Sequence, residues 1–243
     1  MKYIFLFLII SLSFSCKKNK RQDFEHRTLR FIMVDGKVIE SFEYNGQRQL
    51  IKSASHFNCT DNPGSPTDEF FYIYNDTKLD TVKLILRSFY SSTTAWCDPN
   101  SGMKSYVTFE YDDLGRIKST LSDNGVLITF IYNSQGFIER REIDGSAGNI
   151  ISYSYKYDNS GNISEVTDPQ GNTSFYQFDN KINPYYSLNY RSGVITAFYN
   201  SPNNVVKITD QNSTSNINYE YNSAGLPVRM FDSNGQAYQY IYQ

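Results

Sequence analysis

The chain has 243 residues and a formal net charge of −2, a balance that argues against a nucleic-acid-binding protein, which needs a basic face to displace counterions. A hydrophobic share of 40%, with 21 Tyr and 17 Phe, is too high for a disordered chain. Two His and three Cys offer little for a metalloenzyme or a redox enzyme, and the length fits one large all-β domain or two small ones.

Residues 1–15 have the features of a secretory signal peptide. Lys2 supplies a positive charge, and the apolar run over residues 3–14 is too short to span a bilayer as a mature helix. The run ends at Ser15-Cys16, which resembles the lipobox of bacterial lipoproteins. The resemblance implies that Cys16 becomes the acylated N-terminus and attaches the protein to a membrane. The alternative is an ordinary cleaved signal peptide with an incidental cysteine.

Residues 16–26 are predicted to form a basic tether, in which four of the five residues after Cys16 are Lys or Arg. Near a lipid anchor, each cation would be attracted to anionic headgroups by about 1 kcal/mol; a solvated tether is the other interpretation. Surface-exported lipoproteins of some Gram-negative bacteria carry acidic residues at this position. By that comparison, the basic tether favours a Gram-negative outer membrane location, facing the periplasm.

Residues 27–243 are predicted to be one domain built from a repeated motif: an aromatic residue, any residue, a second aromatic residue, then Asn or Asp. From Tyr111 onward the second aromatic recurs after 21, 25, 21, 21, 22 and 21 residues. Residues 27–103 hold degenerate copies with two long loops, and residues 104–243 hold the regular copies. The second aromatics before the C-terminal copy are Tyr44, Tyr74, Tyr111, Tyr132, Tyr157, Phe178, Tyr199 and Tyr221.

Turn residues separate the copies. Asp112-Asp113-Leu114-Gly115 is typical: the acidic side chain caps the turn, and Gly takes the left-handed conformation of a type I turn with a bulge. Asp168 and Asp232 begin turns of the same form halfway along their units, where Asn124-Gly125 and Asp144-Gly145 predict tight hairpin turns. Each unit is therefore two strands and two turns.

The strand pattern predicts an all-β fold. Tyr153, Tyr155 and Tyr157 alternate with polar residues, which places them on one face of a sheet. We find no convincing amphipathic helix after the signal, so the apolar face has to be buried by the sheet itself. The sequence thus predicts a repetitive antiparallel β-hairpin meander that forms one continuous curled sheet, with the second aromatics mostly buried on its concave face.

These residues resemble the YD-repeat family, which is related to Rhs repeats. Tyr111-Asp112-Asp113-Leu114-Gly115-Arg116-Ile117 fits the Tyr-Asp, turn, Gly and aliphatic pattern well, as does the stretch from Tyr157 to Ile163. The resemblance is clear over residues 104–243 and loose over 27–90. It implies a long antiparallel ribbon of hairpins, which large members coil around a toxin. This chain has too few units to enclose a cargo and is similar to the small YD-repeat lipoproteins of Gram-negative envelopes.

Two long loops interrupt the repeats and supply the candidate site residues. His56 and Cys59 are too few for a metal or catalytic thiol site, so we expect no metal and no cofactor. Cys59 and Cys97 are instead expected to form a disulfide, since an exported protein is in an oxidising compartment. The Asp- and Asn-rich turns could bind calcium, but turn capping also explains them. Trp96, Tyr90 and His56 are the candidate binding residues.

Two functions remain open. The first is a non-enzymatic envelope scaffold or interaction module that binds an unknown envelope protein. The second is a carbohydrate-binding lipoprotein, because Tyr and Trp offer flat apolar faces with polar tips to sugar rings. An aromatic row open to solvent would favour sugar binding, and a buried row would favour the scaffold.

Overall fold

The computed structural model describes residues 28–56, 68–86, 102–145, 149–186 and 195–243. These residues form seventeen β-strands and one helix of a single turn, α1, at Ala197–Asn200. The strands are β1 Leu29–Val34, β2 Lys37–Tyr44, β3 Leu50–Ser55, β4 Asp68–Asn75, β5 Lys78–Leu86, β6 Met103–Tyr111, β7 Ile117–Ser122, β8 Leu127–Tyr132, β9 Ile138–Asp144, β10 Ile150–Tyr157, β11 Ile163–Thr167, β12 Thr173–Ile182, β13 Asn203–Thr209, β14 Thr214–Asn216, β15 Asn218–Tyr221, β16 Pro227–Phe231 and β17 Ala237–Tyr242.

The strands form one antiparallel sheet in which neighbours in sequence are neighbours in space, as predicted. β14 and β15 are two segments of one extended run on either side of Ile217; β14 pairs with β13, and β15 pairs with β16. The sheet also curls until its first and last strands meet. β1 pairs with β2 on one side and with β17 on the other, where Ile32 is opposite Tyr240. The first and last strands therefore cover each other's edges, which would otherwise be open to aggregation.

The curled sheet has two ends. We call the end that carries the turns at residues 45–49, 112–116, 133–137, 158–162 and 222–226 the motif end. Thr28 also lies there, since Gln243 N donates to the Thr28 carbonyl at 3.0 Å. The opposite, far end carries the turns that begin at Asp168 and Asp232, as well as the two long connections from β3 to β4 and from β5 to β6.

The first aromatic of the motif is more deeply buried than the second. In six copies its exposed fraction is 9% or less, whereas the second aromatics, which were predicted to be mostly buried, are partly covered on the same inward face. Both side chains point inward, but the second stands at or near the end of its strand, next to a β-bulge such as that between Glu110 and Tyr111. The buried set is Phe42, Tyr72, Phe109, Phe130, Tyr155 and Tyr240.

The expected absence of a helix is wrong at one place. The repeat is interrupted in the connection between β12 and β13, and the motif tyrosine Tyr199 lies in α1 instead of a strand. The Thr196 hydroxyl caps this helix by accepting from Tyr199 N at 3.2 Å. Among the described residues, no helix is long and apolar enough to cross a membrane.

The same connection helps to fill the interior of the sheet. Tyr185 packs edge-on against Tyr199, Tyr240 and Phe42, with ring centroids 4.9, 6.2 and 6.5 Å apart. Tyr185 thus reaches from the β12 side of the sheet to β2 and β17 on the other side. We call the described residues of this connection, 183–186 and 195–202, the inserted segment. They close the core together with the curl of the sheet, which the sequence did not predict.

Two turns differ from the predicted tight hairpins. At Asn124-Gly125, Gly125 N donates to the Ser122 carbonyl and only Gly125 has a positive φ, of 83°. This is the four-residue turn with a left-handed glycine, in which Ser122 Oγ replaces the usual carboxylate as acceptor from Val126 N. Asp144 pairs with Ile150, so residues 145–149 connect β9 to β10 and the connection is longer than a two-residue turn.

Candidate functional site: a tyrosine collar and a cavity at the motif end

The turns at the motif end share one hydrogen-bond pattern. Asp158 Oδ1 accepts from Ser160 N at 2.8 Å and from Asn162 N at 2.9 Å, and Gly161 takes a φ of 83°. Asn133 makes the same two bonds at 3.0 Å each. The predicted turn chemistry is confirmed. The Oδ1 atoms of these turn residues, which the sequence offered as calcium ligands, accept hydrogen bonds from backbone amides of their own turns.

A second repeating contact links the units. The hydroxyl of the motif tyrosine donates to the carbonyl of an aliphatic or proline residue that begins, or nearly begins, a neighbouring strand, over 2.7 to 3.0 Å. We call these tyrosines the tyrosine collar. Its bonds run from Tyr44 to Leu29, Tyr74 to Leu50, Tyr111 to Leu79, Tyr132 to Ile117, Tyr157 to Ile138 and Tyr242 to Pro227.

The collar is continuous along most of the motif end. Each residue whose carbonyl accepts a collar bond is also the strand-pairing partner of a motif tyrosine. Ile117 pairs with Tyr111 and accepts from Tyr132, which pairs in turn with Ile138. The pattern stops at Phe178, which has no hydroxyl. The inserted segment reaches the motif end here, and Ser201 Oγ accepts from Ile163 N at 3.0 Å.

The collar hydroxyls act as hydrogen-bond donors. Burial raises the pKa of Tyr44, Tyr157 and Tyr242 above the ordinary value of 10. They therefore keep their protons at neutral pH. Tyr221 also keeps its proton, since burial and a hydrogen bond to Asp179 raise its pKa. It donates to the Asp179 carboxylate instead of to a carbonyl.

A cavity of about 340 Å³ opens beside the collar. It lies between the turns that join β6 to β7, β8 to β9 and β10 to β11, and the inserted segment forms its remaining wall. Arg116 and Asn200 supply the polar side chains. The aromatic side chains of the lining are Phe130, Tyr132, Phe137, Tyr157 and Tyr186.

Arg116 is held rigidly at the cavity wall. Its Nε and NH2 atoms each lie 2.7 Å from Asp112 Oδ2, and its guanidinium carbon lies 4.1 Å from the centre of the Tyr132 ring. Desolvation raises the pKa of Asp112, but hydrogen bonds from the Arg116 amide and guanidinium outweigh it and hold that pKa below 3.8. The pair is therefore a fixed and electrically balanced group.

Phe137 forms an aromatic wall of the cavity. Its ring stacks on Tyr157 with centroids 4.6 Å apart and planes 19° from parallel. On the side of Gly161, a Cβ built on the glycine would lie 3.3 Å from the Phe137 ring. The missing side chain of Gly161 thus leaves the space that this ring occupies.

The residues predicted from sequence do not form this site. His56 lies toward the far end, with its Nε2 atom 3.0 Å from Ser41 Oγ. In the part of the chain that the structure describes, no three His, Cys, Asp or Glu side chains are placed to hold a metal ion. The predicted lipidation, disulfide and remaining binding residues lie outside the described residues: Cys16, Cys59, Cys97, Trp96 and Tyr90.

Sequence reasoning missed the cavity residues, although one signal was present. Arg116 and Phe137 each come directly after the glycine of a motif turn, and both line the cavity. This recurring position in the repeat was the signal. Tyr186 and Asn200 carry no such signal, since they belong to the unit that departs from the repeat.

Solved structures with a similar arrangement of strands have little sequence in common with this chain. A porin-like protein from Bacteroides vulgatus is 14% identical, with 90% of this chain and 98% of that one covered and a TM-score of 0.47. A porin-like protein from Bacteroides uniformis is 13% identical, over 72% and 91%, with a TM-score of 0.41. The TcdB2-TccC3-Cdc42 structure is 11% identical, over 81% of this chain and 9% of that one, with a TM-score of 0.35. No curated protein matches the chain.

Repeated hairpins with Tyr-Asx pairs, Asx-capped turns and collar hydrogen bonds define a YD-repeat β-scaffold. The family model described as Teneurin YD-shell matches residues 10–243, and the chain belongs to that family.

Proposed function

We propose that the protein is a non-enzymatic scaffold of the Gram-negative cell envelope that presents a binding surface to another envelope protein. The observation that carries this proposal is the use of the motif aromatics. In six copies the first aromatic packs in the interior, and six motif tyrosines donate a hydrogen bond to the backbone of a neighbouring strand. Side chains engaged in this way stabilise a frame and leave little of the row open for a ligand.

The ends of the sheet suggest how the scaffold is oriented. Thr28, the first described residue, is bonded to Gln243 at the motif end. A tether of residues 16–26, acylated at Cys16, would therefore place the motif end next to the periplasmic face of the outer membrane. Leu86 and Met103, between which Tyr90 and Trp96 lie in the sequence, are paired at the far end, so we propose that a partner approaches from the side away from the membrane.

The alternative, carbohydrate binding through an exposed aromatic row, has less support along the repeats. Phe109 and Tyr155 are 9% and 4% exposed, so the middle of the row is closed to a sugar. Trp96 and Tyr90 remain its candidate residues.

A pull-down from detergent-solubilised envelope tests the scaffold proposal. The bait is the mature protein, compared with a variant in which a short Asn-Gly turn replaces residues 87–101; Leu86 and Met103 already pair, so the strands can be joined. We expect a protein partner that the wild type captures and the loop variant does not. A matched control, the double variant Ser134→Ala and Gln135→Ala at the motif end, should retain the partner. Equal capture by all three proteins, or capture of glycans on an array and of no protein, would contradict the proposal.

The anchor has its own test. A Cys16→Ser variant should appear in the soluble periplasmic fraction or accumulate uncleaved. If it fractionates with membranes as the wild type does, Cys16 is not the anchor.

A further inference from the structure

We propose that the cavity at the motif end binds a single neutral sugar ring. This site is at the opposite end of the sheet from the paired residues Leu86 and Met103, which bound the segment of the scaffold proposal. Here motif aromatics border a cavity as well as the core.

The aromatic walls are suited to the flat faces of a sugar. Phe137 stacks on Tyr157 and has its position set by Gly161, so one wall is rigid before a ligand arrives. Tyr186 stands on the inserted segment with 51% of its surface exposed. The C–H face of a pyranose can pack on such rings, and a tyrosine adds a hydroxyl at the edge.

The polar groups favour a neutral ligand with hydroxyl groups. Asn200 Oδ1 accepts from Thr196 N at 2.9 Å, which orients the amide and leaves its Nδ2 group as a donor at the wall. Arg116 directs two of its nitrogens to Asp112, so its remaining N–H groups can donate without a net positive charge. A free carboxylate or phosphate would gain less from this balanced pair than from an unpaired arginine.

The volume of the cavity is sufficient for one sugar ring. Small-molecule sites span roughly 300–1,000 Å³, and this cavity of about 340 Å³ is near the lower limit. The collar bonds and Asx turns fix three of its walls, so the binding free energy is not spent on ordering loops.

Saturation-transfer NMR with methyl glycosides of glucose, galactose, mannose and N-acetylglucosamine tests the proposal. We expect transfer to at least one glycoside with the mature wild-type protein. Tyr186→Ala removes one aromatic wall, and Phe137→Leu replaces the other by an aliphatic side chain; each should weaken binding at least tenfold. Tyr106→Ala is the matched control, because Tyr106 is also an exposed tyrosine, at 42%, but lies on β6 away from the cavity lining.

Thermal melts of the variants separate loss of binding from loss of fold. The proposal is overturned if none of the four glycosides binds, if binding survives in the Tyr186→Ala/Phe137→Leu double variant, or if Tyr106→Ala abolishes it. Since the scaffold partner is tested at the far end, its capture by Tyr186→Ala is independent of this result.

Discussion

The hydroxyl of Tyr132 donates a hydrogen bond to the carbonyl of Ile117 at 2.7 Å, across two neighbouring strands. The ring of the same tyrosine lies under the Arg116 guanidinium, which is paired with the turn residue Asp112. One side chain thus connects the turn, the collar and the cavity. The Tyr and Asx residues of the motif have different roles: the Asx shapes its own turn, and the Tyr ties that unit to another strand.

Removing a collar hydroxyl should destabilise the fold modestly. Tyr132→Phe keeps the ring but leaves the Ile117 carbonyl without this donor, so we expect the free energy of unfolding to fall by about 1 kcal/mol. Urea denaturation measures it. Tyr106→Phe, which changes an exposed tyrosine outside the collar, is the control and should unfold as the wild type does. Equal stability of all three proteins would show that the collar bond contributes nothing.

The turn carboxylates should be replaceable by an amide but not by a methyl group. Asp158→Ala removes the acceptor for Ser160 N and Asn162 N and should lower the free energy of unfolding by about 1–2 kcal/mol. Asp158→Asn keeps an Oδ1 acceptor, as Asn133 does naturally, and gives up only the bond that Asp158 Oδ2 accepts from Asn162 Nδ2 at 2.8 Å, so it should lose less. A thermal melt in which the two variants are equally unstable would assign the effect to that second oxygen instead of to the capping of the turn amides.

Two turn glycines should differ in their tolerance of alanine. At Gly136, with φ of 84°, an added Cβ meets nothing within 4 Å, so Gly136→Ala carries only the backbone penalty of about 1–2 kcal/mol. At Gly161, with φ of 83°, the same Cβ would lie 3.3 Å from Phe137. Gly161→Ala should therefore be the less stable of the two in denaturant titrations, and the opposite order would argue against the packing of Phe137 on this turn.

Glu40 should make stability depend on pH. Glu40 on β2 pairs with the buried Ile32 on β1. Desolvation by burial raises the pKa of the Glu40 carboxyl from 4.5 to about 7. The folded protein holds this proton between about pH 4.5 and 7 while the unfolded chain releases it, so stability should fall as pH rises through that range and then level off, by up to about 3 kcal/mol. Denaturation from pH 4.5 to 8 checks this. Glu40→Gln should flatten the slope and be the more stable protein at pH 8; parallel curves for the two proteins would exclude the effect.

The disulfide between Cys59 and Cys97 stays a prediction, and the ends of the described strands are consistent with it. Ser55 pairs with Asp68, Asp68 with Leu86, and Leu86 with Met103, so both long connections leave from the same end of adjacent hairpins. With 37 residues between the cysteines, the bond should stabilise by about 3–4 kcal/mol in the chain-entropy model. Mass spectrometry of the protein isolated from cells without reductant should find the two linked, and free thiols at both positions would exclude the bond.

The amino-acid sequence by itself determined the repeating unit and its turns, because that chemistry is local. Asp158 caps amides two and four residues away, and Gly161 supplies the positive φ within the same turn. Alternation of inward and outward residues is also local, since it follows from the period of a strand. These short-range rules were sufficient for the all-β hairpin meander and for the family resemblance.

Only the tertiary structure decided which aromatic of a pair is the more deeply buried, where the collar bonds end and where the cavity lies. The collar acceptors are 15 to 32 residues from their tyrosines, and β1 meets β17 at the two ends of the described chain. The cavity needs three successive turns and the inserted segment in one place. Each of these features depends on how far the whole sheet curls, and curvature is the sum of small twists over many strands that no single motif encodes.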